Sequence, residues 1–307
     1  MLRVAFAGTP DFAATILAAI LASEHEVGLV VSQPDRRRGR GRKLDATPVA
    51  ELARERELSL VQPENISEVN DRIATHDALV VAAYGQILCA NTLDAARLGA
   101  WNVHASLLPK YRGAAPIERA IMDGDTRSGV SIMKMDEGLD TGPVAKTGET
   151  DIPSDMTGGE LTVRLAVIGG EAIVEVLSEL EAGSTTLAEQ DSLEATYASK
   201  VLREDQKLDW ERGVWEVHNV VRALAPHIGA RCYVVGDEQP LKLWKTWPEA
   251  STGQRSEPGR IYVQNGRIFV GCGDGRVEIL ELQAAGGRRM SSEEFLRGND
   301  VSGTLLV

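Results

Sequence analysis

A run of seven almost continuously apolar residues, Ala78–Tyr84, constrains the fold more than any other feature of this 307-residue chain. A strand that is apolar on both faces is typical of a parallel sheet covered by helices on both sides. Similar strands are predicted over 2–7, 27–32 and 99–104, and the spacing of apolar residues predicts a helix over 12–21. Strands that alternate with helices predict an α/β domain with a doubly wound, mostly parallel sheet.

The last third of the chain follows a different pattern, with short strands separated by turn residues. Strands are predicted over 230–235 and 241–247, and the dipeptide Asn265-Gly266 between two further strands indicates a two-residue hairpin. This pattern predicts a small antiparallel barrel or sandwich. Residues 184–207 are polar and lack apolar periodicity. The predicted parts are a first domain over 1–187, a linker over 188–208 and a second domain over 209–307.

Positive charge is concentrated in one segment of an acidic chain. Residues 34–49 contain six Lys or Arg and two Asp and therefore carry a net charge of +4. Since the whole chain carries −12, the remaining residues together carry −16. The acidic balance argues against a protein that coats nucleic acid with its whole surface. The basic run Arg36–Lys43 includes two glycines and is typical of a solvated loop, and it would also suit contacts to phosphates.

Three isolated cysteines, Cys89, Cys232 and Cys272, argue against a zinc knuckle or a disulfide framework. The histidines and carboxylates show no metal-ligand spacing either, so no metal is expected. The N-terminal residues read directly as a strand and not as a signal peptide, and no apolar run is long enough to span a membrane. We therefore expect a cytoplasmic protein with reduced thiols.

The stretch Trp101–Pro109 carries the most specific chemical signal. Alternate residues of an extended segment point the same way, so Asn102, His104 and Ser106 are predicted to share one face. The segment lies at the carboxyl end of a predicted strand, where open α/β sheets bind ligands. A carboxamide and an imidazole together can donate to a developing oxyanion and move a proton, which are the requirements of acyl transfer.

Further motifs surround this stretch. The motif residues, read with Trp101–Pro109, are Phe6–Phe12, Gln33–Arg36, Lys110–Pro116 and Met135–Gly142. Together they resemble the signature of formyltransferases that use 10-formyltetrahydrofolate, and the first two narrow the resemblance to the methionyl-tRNA formyltransferase family. The resemblance extends from Val4 to near the C-terminus and is densest over 99–142.

The resemblance implies a Rossmann-like formyltransferase domain followed by an OB-like barrel that binds tRNA. It implies transfer of the formyl group of 10-formyltetrahydrofolate to the α-amine of initiator methionyl-tRNA for translation initiation, with no obligatory protein partner. The implied catalytic residues are Asn102, His104 and Asp140. The implied folate-lining residues are Tyr84, Gly85, Ser106, Leu107, Leu108 and Pro109. The candidate tRNA contacts are Arg36, Arg37, Arg38, Arg40, Arg42 and Lys43, with a weaker basic pair, Arg288 and Arg289, in the second domain.

Four alternatives compete with this interpretation. Asp140–Gly142 matches the aspartic-protease tripeptide, but that chemistry needs a second Asp-Thr-Gly or Asp-Ser-Gly, which the chain lacks. A formyltransferase acting on a small amine would need neither the Arg-rich run nor the C-terminal domain. A non-catalytic RNA- or folate-binding protein would not need the set of Asn102, His104 and Asp140. Hydrolysis of formylfolate, with water as the acceptor, stays open.

Overall fold

The computed structural model describes residues 1–38, 43–249 and 256–307. The chain forms two compact units. The first unit comprises 1–116, 127–150 and 162–198, and the second comprises 117–126, 151–161 and 199–307. The second unit thus takes two short segments that interrupt the first unit in the sequence.

The strands, in chain order, are β1 (Arg3–Gly8), β2 (Glu26–Val31), β3 (Arg36–Arg38), β4 (Lys43–Asp45), β5 (Leu60–Val61), β6 (Ala78–Ala82), β7 (Ala100–His104), β8 (Arg112–Gly113), β9 (Arg127–Lys134), β10 (Val144–Asp151), β11 (Tyr197–Ala198), β12 (Ala230–Tyr233), β13 (Pro240–Glu249), β14 (Ile261–Gln264), β15 (Arg267–Cys272), β16 (Gly275–Gln283) and β17 (Met290–Ser291).

The α-helices are α1 (Asp11–Leu21), α2 (Pro48–Glu55), α3 (Asn70–Ile73), α4 (Ala90–Leu93), α5 (Pro116–Met122), α6 (Gly158–Ala182), α7 (Val214–Leu224) and α8 (Ser292–Leu296). Short 3₁₀ turns cover Ile66–Val69, Ser192–Glu194 and Glu204–Gln206.

The first unit is built on a seven-stranded sheet with the order β10-β9-β7-β6-β1-β2-β5. The five strands from β7 to β5 run parallel, and β9 pairs antiparallel with β7. All five residues of β6 are buried, as expected for a strand covered on both faces. The predicted mostly parallel α/β sheet is confirmed.

Two helices of the first unit show how local sequence sets their start and their packing. Pro10 occupies the N-cap position of α1, and Asp11 begins the helix, where its carboxylate faces the positive end of the helix dipole. The adjacent Gly169 and Gly170 in α6 allow close packing. A Cβ atom at Gly169 would lie 2.7 Å from Val103 Cγ1, and one at Gly170 would lie 2.7 Å from Ala19 Cβ.

The second unit contains a six-stranded antiparallel sheet with the order β12-β13-β16-β15-β14, and β17 pairs with β16. The C-terminal segment 304–307 hydrogen-bonds to both edges of this sheet. Val307 exchanges two backbone hydrogen bonds with Tyr233, and Ile261 N donates to Thr304 O. The segment therefore closes the sheet into a barrel around an apolar core. The predicted OB-like barrel is confirmed in architecture.

The predicted hairpin turn adopts the expected geometry. Asn265 and Gly266 have φ values of +52° and +75°. Positive φ at both central residues matches the right-handed twist of the flanking strands. In the described residues, no helix is long and apolar enough to cross a membrane.

Candidate active site

The three predicted catalytic residues meet at the carboxyl end of β7. Asn102 Nδ2 donates to Asp140 Oδ1 at 3.3 Å, and His104 Nδ1 lies 3.7 Å from Asp140 Oδ2. The side chains of His104 and Asp140 are only 6% and 12% exposed. Asn102 and His104 are neighbours on one face of β7, while Asp140 comes from the loop between β9 and β10. The sequence therefore identified residues that the fold brings together across 38 positions.

Asp140 is held in an unfavourable backbone conformation. Its φ is +53°, in the left-handed region that non-glycine residues rarely adopt. Gly113 N donates to its Oδ2 at 2.8 Å. Tyr111, which contacts His104 from the other side, also has a positive φ of +58°. Strained residues of this kind persist where the surrounding contacts fix them, and they cluster at functional sites.

The hydrogen bonds of His104 define its tautomer. Nε2 lies 2.9 Å from the carbonyl oxygen of Tyr111. Since a carbonyl only accepts, Nε2 carries the hydrogen, and Nδ1 is the atom that faces the Asp140 carboxylate. Asp140 Oδ2 thus orients the His104 ring from the Nδ1 side, opposite the Tyr111 carbonyl.

The arrangement supplies donors for a developing negative charge. The Asn102 amide has two N–H groups and uses one toward Asp140, so the second is available to an acceptor beside β7. The Nε2–H of His104 is a second N–H donor within the same buried cluster. Such preorganised donors are the main means by which enzymes stabilise tetrahedral oxyanions.

The segment after β7 is a tight turn, and regular alternation ends at His104. Ser106 was predicted to share the face of Asn102 and His104, but it lies beyond the strand and its hydroxyl donates to Lys110 O at 2.6 Å. Ser131 Oγ donates to Ser106 O, and Leu108 N donates to Ser131 Oγ. These bonds fix the turn that contains the predicted folate-lining residues Ser106, Leu107, Leu108 and Pro109.

The other two predicted folate-lining residues follow β6. The Tyr84 side chain is 2% exposed and packs in the apolar core. Burial raises the pKa of its phenol to about 12. Its carbonyl oxygen accepts from Thr9 Oγ1 and Gln33 Nε2, which ties together the two N-terminal motifs. Gly85 has a φ of +90° and open space where a Cβ would stand.

The basic run forms the two arms of a hairpin. β3 and β4 pair antiparallel, with Arg36 opposite Asp45 and Arg38 opposite Lys43. The predicted tRNA contacts Arg40 and Arg42 lie outside the described residues. The base of the hairpin is anchored at Asp35, which accepts hydrogen bonds from Arg54 at 2.8 Å and Gln62 at 2.6 Å.

The weaker basic pair of the barrel is balanced by carboxylates. Arg288 Nη2 lies 2.9 Å from Glu294 Oε1, and Arg289 Nε lies 2.6 Å from Glu281 Oε2. The guanidinium of Arg289 also stacks on Trp244, 5.0 Å from its ring centroid. Their net contribution to the surface potential is therefore smaller than the sequence implies.

A more concentrated row of cations was not found from the sequence. The backbone of Lys207 pairs with that of Arg231 in a parallel β-bridge. Arg231 in turn lies directly opposite Lys242 in the β12–β13 ladder. Burial and the positive charge of Arg231 lower the pKa of the Lys242 ammonium. Arg231 Nε is buried without a hydrogen-bond partner among the described residues. Like charges opposite each other destabilise a sheet, and only the strand register reveals this row.

Comparison with known proteins agrees with this geometry. Residues 2–177 match the family model described as formyl transferase, and residues 200–300 match formyl transferase, C-terminal domain. The chain belongs to the formyl transferase family. A curated methionyl-tRNA formyltransferase from Rubrobacter xylanophilus is 59% identical over 304 residues, with 99% of each chain covered. One from Aromatoleum aromaticum is 46% identical, with 98% of this chain and 95% of the relative covered. The resemblance found in the motifs is confirmed.

Solved structures share the fold at low identity. The N-formyltransferase from Helicobacter canadensis, in complex with folinic acid and dTDP-3-aminofucose, has a TM-score of 0.67 at 16% identity and covers 91% of this chain and 99% of its own. HypX from Aquifex aeolicus in complex with tetrahydrofolic acid has a TM-score of 0.64 at 18% identity, over 96% of this chain and 47% of its own.

Proposed function

We propose that this chain transfers the formyl group of 10-formyltetrahydrofolate to the α-amino group of initiator methionyl-tRNA, in the cytoplasm and without a metal. The observation that carries the proposal is the buried cluster of Asn102, His104 and Asp140 at the carboxyl end of β7. Identity of 59% to a methionyl-tRNA formyltransferase supports the choice of acceptor.

The proposed reaction begins with a neutral amine. A free α-amino group has a pKa of about 7.7–8.0, so the reactive form is well populated near neutral pH. The amine nitrogen attacks the formyl carbon, and the carbonyl oxygen becomes an oxyanion. The bond from carbon to N10 then breaks, the former amine loses one proton, and N10 gains one.

Asn102 and His104 would stabilise the oxyanion in this proposal. Asn102 would donate its second amide N–H. His104 Nε2 donates to the Tyr111 carbonyl in the structure, so donation to the formyl oxygen requires exchange of that hydrogen bond. Asp140 would keep the His104 ring oriented. In comparable sites, one hydrogen-bond donor to the oxyanion is worth about 2.7–4 kcal/mol. Tyr84, Gly85 and Ser106 to Pro109 would line the folate pocket.

The tRNA would contact the basic hairpin and the barrel. The hairpin arms Arg36–Arg38 and Lys43–Asp45 carry most of the concentrated positive charge of the chain. On the barrel, the row Lys207, Arg231 and Lys242 has no carboxylate partner among the described residues, and a phosphate group would neutralise its charge. Arg288 and Arg289 stay candidates with weaker potential. We therefore keep 1–187 as the catalytic domain, 188–208 as the linker and 209–307 as the tRNA-binding domain in the proposal.

One assay separates this function from its alternatives. The protein is incubated with 10-formyltetrahydrofolate labelled in the formyl group and, in separate tubes, methionyl-tRNA, uncharged tRNA, a nucleotide-linked amino sugar or buffer alone. The label is expected on methionyl-tRNA only. Label on the amino sugar would indicate a small-amine formyltransferase, release of labelled formate in buffer would indicate a hydrolase, and no turnover in any tube would indicate a binding protein.

A further inference from the structure

We propose that Gln190 is a positioning residue for Asp140 and that Arg112 orients Gln190. The inference rests on the proposed function, in which Asp140 holds His104. Gln190 lies in the polar stretch after α6, where the sequence offers no periodicity and no motif. The structure places its side chain against the backbone of the Asp140 loop.

The amide nitrogen of Gln190 donates two hydrogen bonds to the backbone of this loop. Nε2 donates to the carbonyl oxygen of Asp140 at 2.9 Å and to that of Gly142 at 2.7 Å. The two acceptors flank Thr141, so the amide spans the turn that gives Asp140 its positive φ. Gly142 packs closely against β9, since a Cβ atom there would lie 1.9 Å from Lys134 O.

The amide oxygen of Gln190 also accepts two hydrogen bonds. Arg112 donates to Oε1 from Nε at 3.1 Å and from Nη2 at 2.7 Å. All four hydrogen-bonding positions of the amide are therefore used, two as donor and two as acceptor. Rotating the amide by 180° would place its NH₂ group against a guanidinium and its oxygen against two carbonyls. Only one orientation satisfies every partner.

Arg112 is 3% exposed, and its backbone connects the same network to the carboxylate. Its own N–H donates to Thr196 O, and the N–H of the next residue, Gly113, donates to Asp140 Oδ2. Segment 112–113 thus fixes the carboxylate directly and fixes the Asp140 carbonyl through Gln190. Because both the carboxylate and the backbone carbonyl of Asp140 are hydrogen-bonded, the residue stays in a backbone conformation that is otherwise unfavourable.

The direct test is Gln190→Glu, which keeps the shape and replaces the donating nitrogen by an oxygen. Two carboxylate-to-carbonyl contacts would then push the Asp140 loop away. We expect kcat to fall by about 10- to 100-fold with KM values for folate and methionyl-tRNA near parental, because misplacement of about 1 Å costs up to 100-fold. In the Asp140→Asn background the same change should cause little further loss, since both changes remove one function. Gln264→Glu, at an exposed strand end of the barrel, is the matched control.

A second readout does not depend on turnover. The imidazole ¹⁵N signals of His104, assigned by their absence in His104→Ala, should move in Gln190→Glu and stay in place in Gln264→Glu. If Gln190→Glu fails to fold, Gln190→Ala, which buries no charge, replaces it. Parental kcat or unchanged His104 signals in a folded variant would overturn the proposal. The proposal would also be overturned if Gln190→Glu lowered kcat by the same factor in the parent and in the Asp140→Asn background. That result is expected of a residue that only stabilises the loop. If the parent transfers no formyl group, the proposed function fails, and the His104 signals still decide whether Gln190 positions Asp140.

Discussion

The end of β7 and the basic surfaces of the chain are built on opposite principles. Around Asp140, almost every polar atom has a defined partner, the side chains are buried, and backbone strain is maintained by hydrogen bonds. On the barrel, Arg231 and Lys242 face each other and Arg231 Nε has no partner among the described residues. The first region is fixed almost entirely by contacts within the protein, with one Asn102 N–H left for an acceptor, whereas the second carries charge that an anionic ligand would neutralise. A substitution in the first should alter chemistry, and one in the second should alter affinity.

The largest effect is expected at the buried cluster. His104→Ala and Asn102→Ala should each lower kcat by about 100-fold or more, since each removes a donor to the oxyanion. Steady-state kinetics and circular dichroism of the purified variants provide the measurement. His227→Ala, at an exposed site, is the control. Near-parental turnover in a folded variant would remove that residue from the mechanism.

Asp140→Asn keeps the shape of the side chain and removes its charge. We expect kcat to fall by about 10- to 100-fold, because His104 loses the carboxylate that faces its Nδ1, while folate binding changes less. The pH–rate profile and a folate-binding titration measure both. A profile and turnover identical to the parent would show that Asp140 serves the fold only.

Substitutions in the basic hairpin should change the affinity for tRNA and not the chemical step. Replacing the six basic residues of 36–43 by Gln should raise KM for methionyl-tRNA by about 10-fold and leave that for folate unchanged, because phosphate contacts release counterions. The salt dependence of tRNA binding should become shallower. Arg3→Gln with Arg72→Gln removes charge elsewhere and serves as the control. The same salt slope in hairpin variant and parent would identify the hairpin as a solvated surface.

Two pairs of cations on the barrel allow a finer comparison. Arg231→Gln with Lys242→Gln should raise KM for methionyl-tRNA by about 3-fold at low salt, since neither cation forms an ion pair with a carboxylate among the described residues. Arg288→Gln with Arg289→Gln should change it less, because Glu294 and Glu281 already offset both charges. Equal effects, or the reverse order, would contradict the assignment of the tRNA-facing row.

The smallest effect concerns stability and pH. His218 is buried, its Nε2 donates to Ser154 O, and burial lowers its pKa below the ordinary 6.5. The folded chain therefore binds fewer protons here than the unfolded chain, so this contribution is full above about pH 6.5 and is lost as pH falls through the lower pKa. Urea midpoints at several pH values should show a weaker pH dependence in His218→Gln than in the exposed control His227→Gln.

The sequence predicted what depends on local pattern. The apolar run of β6 and the Asn265-Gly266 turn each specify their structure within a few residues. β10 was not predicted, since its side chains alternate only between half-buried and exposed. No apolar pattern marks such a strand.

The sequence predicted the central residues of the candidate site but not the residues that hold them in position. Asn102 and Asp140 belong to recognisable motifs, whereas Gln190 acts through contacts that span about 50 positions and leave no periodicity. The carboxylate partners of Arg288 and Arg289 were equally invisible, because pairing across strands depends on register. Long-range register was also needed to find Arg231 opposite Lys242.

Closure of the barrel by 304–307 has a consequence for self-association. The segment hydrogen-bonds to the free sides of β12 and β14, which would otherwise present unpaired N–H and C=O groups to solvent. Exposed strand edges recruit strands from other molecules. A chain cut after Gly303 would leave the backbone of Tyr233 and Ile261 N without these partners, while Leu208 N would still donate to Arg231 O of β12. Four residues thus separate a closed barrel from one whose strand edges are open to pairing with other chains.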